Sequence, residues 1–276
     1  RSLRQLLEAV TTIGSDLDLG AMLQRIIQSA VDLVDARYGA LGVLDPTVVN
    51  TLTDEVKVGG SGVLPSLRSG GQHSIGDLLY LMIALSDNTA TNMLIALVGT
   101  KAVDDRMAAY GLPRTRLYRP TFRGGHADVF PEEEREFGLG SSTPRETARL
   151  MELIARGKAV SPEASAEMAA LLGKQQNYMM IPRLLPLEED KVTYAGKSGQ
   201  DDEKLPDADG VKGAIRVDSG IVTTPRGRYV IAIFARRGKD TRWTVDNDAF
   251  VTGAEGGVVL LADAICISCC SCAALL

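Results

Sequence analysis

The 276-residue sequence predicts an α+β fold in which an antiparallel sheet is laid against a cluster of helices. Three observations lead there. Between residues 74 and 175, apolar side chains recur at spacings of three and four, the helical period. From 190 to 237 the chain changes to β-branched segments. The last two of these are joined by Pro225-Arg226-Gly227, which predicts an antiparallel hairpin. Helices grouped mid-chain and strands near the end are the pattern of a layered α+β domain.

Taken in order, Leu3, Leu6, Leu7, Val10 and Ile13 form one helical stripe, and Leu19 to Val34 form a second after the break "GSDLD". Ser15 or Asp16 caps the second helix, over residues 17–35. "RYGALGVLD", 37–45, reads as a strand ended by Pro46. Residues 51–72, rich in Gly and Ser, read as loops and short turns. Helices follow at 74–85 and 89–98, with the polar triplet Ser86-Asp87-Asn88 at their junction. "STPRETARLMELIARG", 142–157, has a capping Ser142 or Thr143, Pro144 in its first turn and Gly157 as its stop. "SPEASAEMAALLGKQ", 161–175, repeats that grammar. Strands are expected at 190–199, 211–224 and 227–237. A closing helix over 247–265 is a poor one, because it holds Gly253, Gly256 and Gly257. There is no internal repeat.

Composition narrows the function. A chain this long that is 45% hydrophobic can bury a full core. Its net charge of −5 gives no electrostatic footprint for nucleic acid, and short basic clusters such as Arg236-Arg237 read as solvated. No window approaches the roughly 18 apolar residues of a membrane span. The opening "RSLRQLLEAV" is amphipathic and lacks the apolar block of a secretory signal, so the chain as given is expected in the cytoplasm. All four cysteines, Cys266, Cys269, Cys270 and Cys272, fall in a tail over 265–276, and the rest folds without disulfides. Their spacing suits a soft metal, but with no second pair elsewhere they read as a packed or frayed terminus.

Two triplets carry the chemistry. Ser86-Asp87-Asn88 and Lys197-Ser198-Gly199 form an S-D-N and K-S-G pair across the helical middle. Taken alone, the first also fits a helix junction, since Ser, Asp and Asn are capping residues, and the second fits the end of an edge strand. Together with "HSIGDLLYLMIALSDNTATNMLI", "YGLPRTRLYRPT", "STPRETARLMELIARG" and "VDSGIVTTPRGRYVIAIFARR", they resemble the class A β-lactamase and penicillin-binding-protein-like serine hydrolases. The resemblance runs over about residues 50–250, in a domain placed at 47–264, and implies a β-lactamase/transpeptidase-like fold. It assigns a proton relay toward the departing nitrogen to Ser86 and binding of a substrate amide to Asn88. Recognition of a substrate carboxylate falls to Lys197, Ser198 and Gly199, and bracing of the cleft to Asp87.

Two parts of the family set are absent. The family's nucleophile is the serine of Ser-x-x-Lys, and none of the nine lysines, at 57, 101, 158, 174, 191, 197, 204, 212 and 239, has a serine three positions earlier. The family's Glu-x-x-Leu-Asn loop is also missing from the interval "RPTFRGGHADVFPEEEREFGLG", where the acids after Pro131 read as a solvated helix start. The region that should hold the nucleophile helix instead resembles the opening of a GAF domain of bacterial sensor kinases, through "LLEAVTTIGSDLDLGAMLQRIIQSAVDLVDARYGALGVLD". The chain thus reads as a GAF-like prefix, 1–46, fused to a truncated hydrolase domain. The prefix is expected to lend its helix 17–35 and strand 37–45 to the sheet, with Tyr38–Leu44 beside Arg228–Phe234.

Four functions follow. The first is a β-lactamase-superfamily domain with a cleft for carboxylate-bearing small molecules and no normal acylation. In the second, a repurposed hydrolase, Ser86 attacks activated esters with Lys197 beside it; neither of these needs a cofactor. The third is metal-assisted hydrolysis with Zn or another divalent ion on His73, His126 and Asp128, without the helical spacing of a zinc protease. The last is a binding module that forms homodimers through the prefix helices.

Overall fold

The computed structural model describes residues 49–123, 129–187 and 191–262, all within the unit Val49–Leu276. The expected prefix helices, strand 37–45, its pairing with 228–234, and the cysteine tail lie outside the described residues.

Strand β1 (Val49–Thr51) pairs antiparallel with β2 (Gln72–Ser74), two short strands at the two ends of the stretch 51–72 expected to be loops and turns. Ser74 ends β2 and caps helix α1 (Ile75–Ala84): its hydroxyl accepts from the Asp77 N–H at 3.1 Å while the Asp77 carboxylate accepts from the Ser74 N–H at 3.0 Å. This reciprocal box satisfies two of the orphan donors at the helix start. Helix α2 (Asn88–Val98) follows, then α3 (Thr100–Ala109) after the Gly99 break. Leu78 of α1 and Ala90, Met93 and Leu94 of α2 bury together with Leu52 and Leu64.

A two-residue ladder, β3 (Arg116–Leu117) with β4 (Gly140–Ser141), closes the base of a loop that carries helix α4 (Pro131–Phe137). This helix starts in its run of acids as expected. Glu134, however, is only 7% exposed and accepts from Arg119 Nε at 2.6 Å, so this acid is paired rather than solvated. Helices α5 (Pro144–Ala155) and α6 (Pro162–Leu172) are capped by Thr143 and Ser161, each accepting from an N–H three residues on.

The sheet has the order β5 (Thr193–Asp202), β6 (Ala214–Thr224), β7 (Gly227–Gly238), all antiparallel. Side chains alternate between its faces. Ala195, Ile221 and Val230 face Met151 and Ile154 of α5 and Leu172 of α6, and Lys197, paired with Ser219, shares their parity. On the other face Tyr194, Val222 and Ile231 pack with Ile181 and Leu185. The closing helix α7 (Asp248–Ala262) lies there too, with Phe250 beside the buried Arg216 guanidinium at 5.6 Å. Gly253, a poor helix former, admits Met180: a Cβ on it would stand 2.5 Å from Met180 Cε.

Arg236, expected to be solvated, is paired. Its Nε donates to Glu203 at 2.8 Å and its Nη2 to Glu136 at 3.3 Å, partners supplied by segments 33 and 100 positions away.

Candidate active site

Helix α1 ends at Ala84 with Leu85 as its C-cap, and Ser86 turns the chain through the left-handed region at φ 52°. That conformation costs a non-glycine residue about 1–3 kcal/mol and persists where surrounding contacts hold it. Asp87 supplies them. It is completely buried, caps α2 by accepting from Ala90 N–H at 2.9 Å, and accepts from the N–H groups of Val63 and Leu64 at 2.7 and 2.9 Å. Gly62 makes room: at φ +111° a side chain there would be strained, and its Cβ would lie 2.3 Å from Asp87 Oδ2. The triplet is therefore a helix junction, with Asp87 as the cap of the second helix. Asn88 donates from Nδ2 to Gly59 O at 3.1 Å and from its backbone to Ser61 O at 3.1 Å.

The second triplet lies on edge strand β5. Lys197 points toward the helical layer and its Nζ donates to Ser86 Oγ and to Ser198 O, the latter at 2.6 Å. The two motifs, 111 positions apart, thus meet side chain to side chain. Ser198 is buried, and its N–H, on the open edge of the strand, donates to Gln175 Oε1 at 2.6 Å. Gly199 continues the strand opposite Val217.

A buried polar group unmarked by any motif lies across the sheet from Lys197. Asp218, opposite Ser198 in register, accepts from Tyr194 Oη at 2.6 Å and from Ile181 N–H at 3.1 Å. The Tyr194 ring fits because the cross-strand pair Gly196 and Gly220 leaves a slot: a Cβ on Gly220 would come within 2.5 Å of Tyr194 Cε2. Burial pushes the Asp218 carboxyl up to about 7, against the pull of Tyr194, the Ile181 and Ser219 N–H groups and the Lys197 charge. Burial likewise lowers the Lys197 amine to about 8, opposed by the Asp218 charge. Burial, with Asp218 beside it, holds the Tyr194 phenol well above its usual range. The recurrence of Gly and Tyr on one strand face is the only trace of this cluster in the sequence.

Asn92, one turn beyond Asn88 on α2, exchanges two hydrogen bonds with the Thr121 backbone, at 2.8 and 2.9 Å. His73 lies on β2, half-buried, with Nε2 unpartnered, whereas His126 and Asp128 lie outside the described residues. Among the described residues no group of three or more His, Cys, Asp or Glu side chains is placed to hold a metal ion, and no helix is long and apolar enough to cross a membrane.

Chemically, a hydroxyl hydrogen-bonded to a lysine whose amine is pulled toward neutrality has beside it a group that can serve as a base in its neutral form. About a tenth of such an amine is neutral at pH 7. The ammonium form carries a positive charge that can attract a carboxylate.

Comparison with known proteins bears on the family and the fold. No curated protein matches the chain. Among solved structures it is similar to a β-lactamase from Sphaerobacter thermophilus, at 31% identity and TM-score 0.62, over 86% of this chain and 78% of that one. It is also similar in fold to the protein PBP-A, at 24% identity and TM-score 0.59, over 84% and 74%. A class A β-lactamase from Bacteroides cellulosilyticus shares the fold as well, at 21% identity and TM-score 0.62, over 86% and 80%. These neighbours and the layered sheet identify the β-lactamase/transpeptidase-like fold. A model of the β-lactamase enzyme family matches residues 37–251, a span that begins within the stretch read as the end of the prefix. With most of its length matched, this chain belongs to the β-lactamase enzyme family.

Proposed function

We propose that this chain is a slow serine hydrolase in which Ser86 attacks and Lys197 accepts its proton, acting on β-lactams or activated esters that carry a carboxylate. The observation that carries this reading is the hydrogen bond between Lys197 Nζ and Ser86 Oγ. The family's own nucleophile, Ser-x-x-Lys, is missing from the sequence, and Ser86 is the hydroxyl in contact with the amine lowered to about 8.

In the neutral form of Lys197, the lone pair on Nζ takes the Ser86 proton as Oγ bonds to the substrate carbonyl carbon. The C–N bond of a lactam, or the C–O bond of an ester, then breaks, and the leaving atom takes that proton from Nζ. Water releases the acyl group. The protonated form of the same lysine, with Ser198 and Gly199 beside it, receives the ligand's carboxylate, and Asn88 binds its amide. One lysine cannot do both at once, so turnover is low. Asp87 holds Ser86 in its strained turn.

The test is hydrolysis of a chromogenic cephalosporin and of p-nitrophenyl acetate by the purified chain and by Ser86→Ala. A slow rate that falls about a hundredfold in Ser86→Ala is expected. An unchanged rate in the variant overturns the assignment of Ser86.

A further inference from the structure

Beside Asn88 the structure holds an aromatic ring that the hydrolytic chemistry does not use. Phe122 is 65% exposed, and its backbone is held at φ 51°, a costly conformation for a bulky residue. The residues on either side are pinned. Thr121 exchanges two hydrogen bonds with Asn92, and Arg123 Nη2 donates to Glu55 O. An exposed aromatic kept in a strained turn by contacts on both flanks is a candidate for function.

Gly60 shows where the ring lies. A Cβ built on it would stand 2.4 Å from Asn88 Nδ2 and 2.7 Å from Phe122 Cε2. The Asn88 amide and the Phe122 ring edge therefore converge on one point, and only a residue without a side chain fits between them. Gly60 also sits at φ +87°, which further favours glycine. The result is a hydrogen-bonding amide next to an exposed apolar ring.

We propose that Phe122 is a specificity-determining residue: its ring is the apolar wall next to the Asn88 amide and selects ligands whose amide side chain ends in an aryl group. The proposal rests on the reading above that Asn88 holds the ligand's amide. An aryl ring docked on Phe122 gains an aromatic contact that an acetyl group does not make.

Two penicillins that differ only in a phenyl ring, benzylpenicillin and 6-acetamidopenicillanate, test it by titration against the full chain, Phe122→Ala, Phe122→Trp and Lys197→Ala. The full chain is expected to bind the aryl ligand about five- to tenfold more tightly. Phe122→Ala brings the two affinities to within about twofold by weakening the aryl ligand alone, and Phe122→Trp keeps the preference. Equal binding of both ligands by the full chain, or an aryl preference that survives in Phe122→Ala, overturns this proposal and leaves the cleft reading standing. Absence of binding, or binding that Lys197→Ala does not weaken, overturns the cleft reading and this proposal with it.

Discussion

Lys197 donates a hydrogen bond to Ser86 across 111 positions of sequence, from an edge strand of the sheet to the turn between two helices. The contact joins the two layers of the domain through the first residue of each motif.

The Ser86-dependent rate is expected to rise with pH through a midpoint near 8. Burial lowers the Lys197 amine to about 8, and only the neutral amine can take a proton. The difference between the rates of the full chain and Ser86→Ala, measured from pH 6 to 9.5, gives the profile. Lys197→Arg, whose guanidinium stays charged, should remove the rise and lower the rate about a hundredfold.

Asp87→Ala is expected to destabilise the domain by about 2–4 kcal/mol, because three N–H groups, of Val63, Leu64 and Ala90, lose a charged acceptor inside the protein. Calorimetry measures it as a fall in Tm of several degrees. A change below about 0.5 kcal/mol would remove Asp87 from the support of the Ser86 turn.

Asp218 sets part of the pH dependence of stability. Its folded pKa, about 7, lies above its unfolded value, so the native state holds the extra proton between about pH 4 and 7. Stability from this group is full below about pH 4 and is lost as pH rises through 7. Asp218→Asn, which carries no charge, should flatten that decline and give a higher Tm than the unaltered chain at pH 8. Parallel Tm curves for the two proteins from pH 4 to 8 would contradict this.

Gly220→Ala is expected to cost about 1–3 kcal/mol, since its new methyl group would press on the Tyr194 ring. In a Tyr194→Ala background the same change should cost less, and a double-mutant cycle by denaturant unfolding measures the coupling. Additive effects would show that the ring does not occupy the slot.

The helices over 75–84, 88–98, 144–155 and 162–172 and the three long strands were legible because each carries its own period and its own cap or turn. Helix 100–109, "TKAVDDRMAA", was not, for it has few apolar residues to mark a face. The strands at 49–51, 72–74, 116–117 and 140–141 are too short to show alternation. Ser86 and Lys197 could be singled out because each sits in a compact triplet. Asp218, Tyr194, Gln175 and Phe122 could not, since their surroundings come from segments brought together only by folding. The same limit explains Glu134 and Arg236, which look like surface charges until Arg119 and Glu203 are placed beside them.

The most direct test of the account is mass spectrometry of the chain after incubation with benzylpenicillin. The account predicts a covalent adduct of one penicillin on the peptide containing Ser86, absent in Ser86→Ala. An adduct on any other residue, or undiminished labelling of Ser86→Ala, would contradict it.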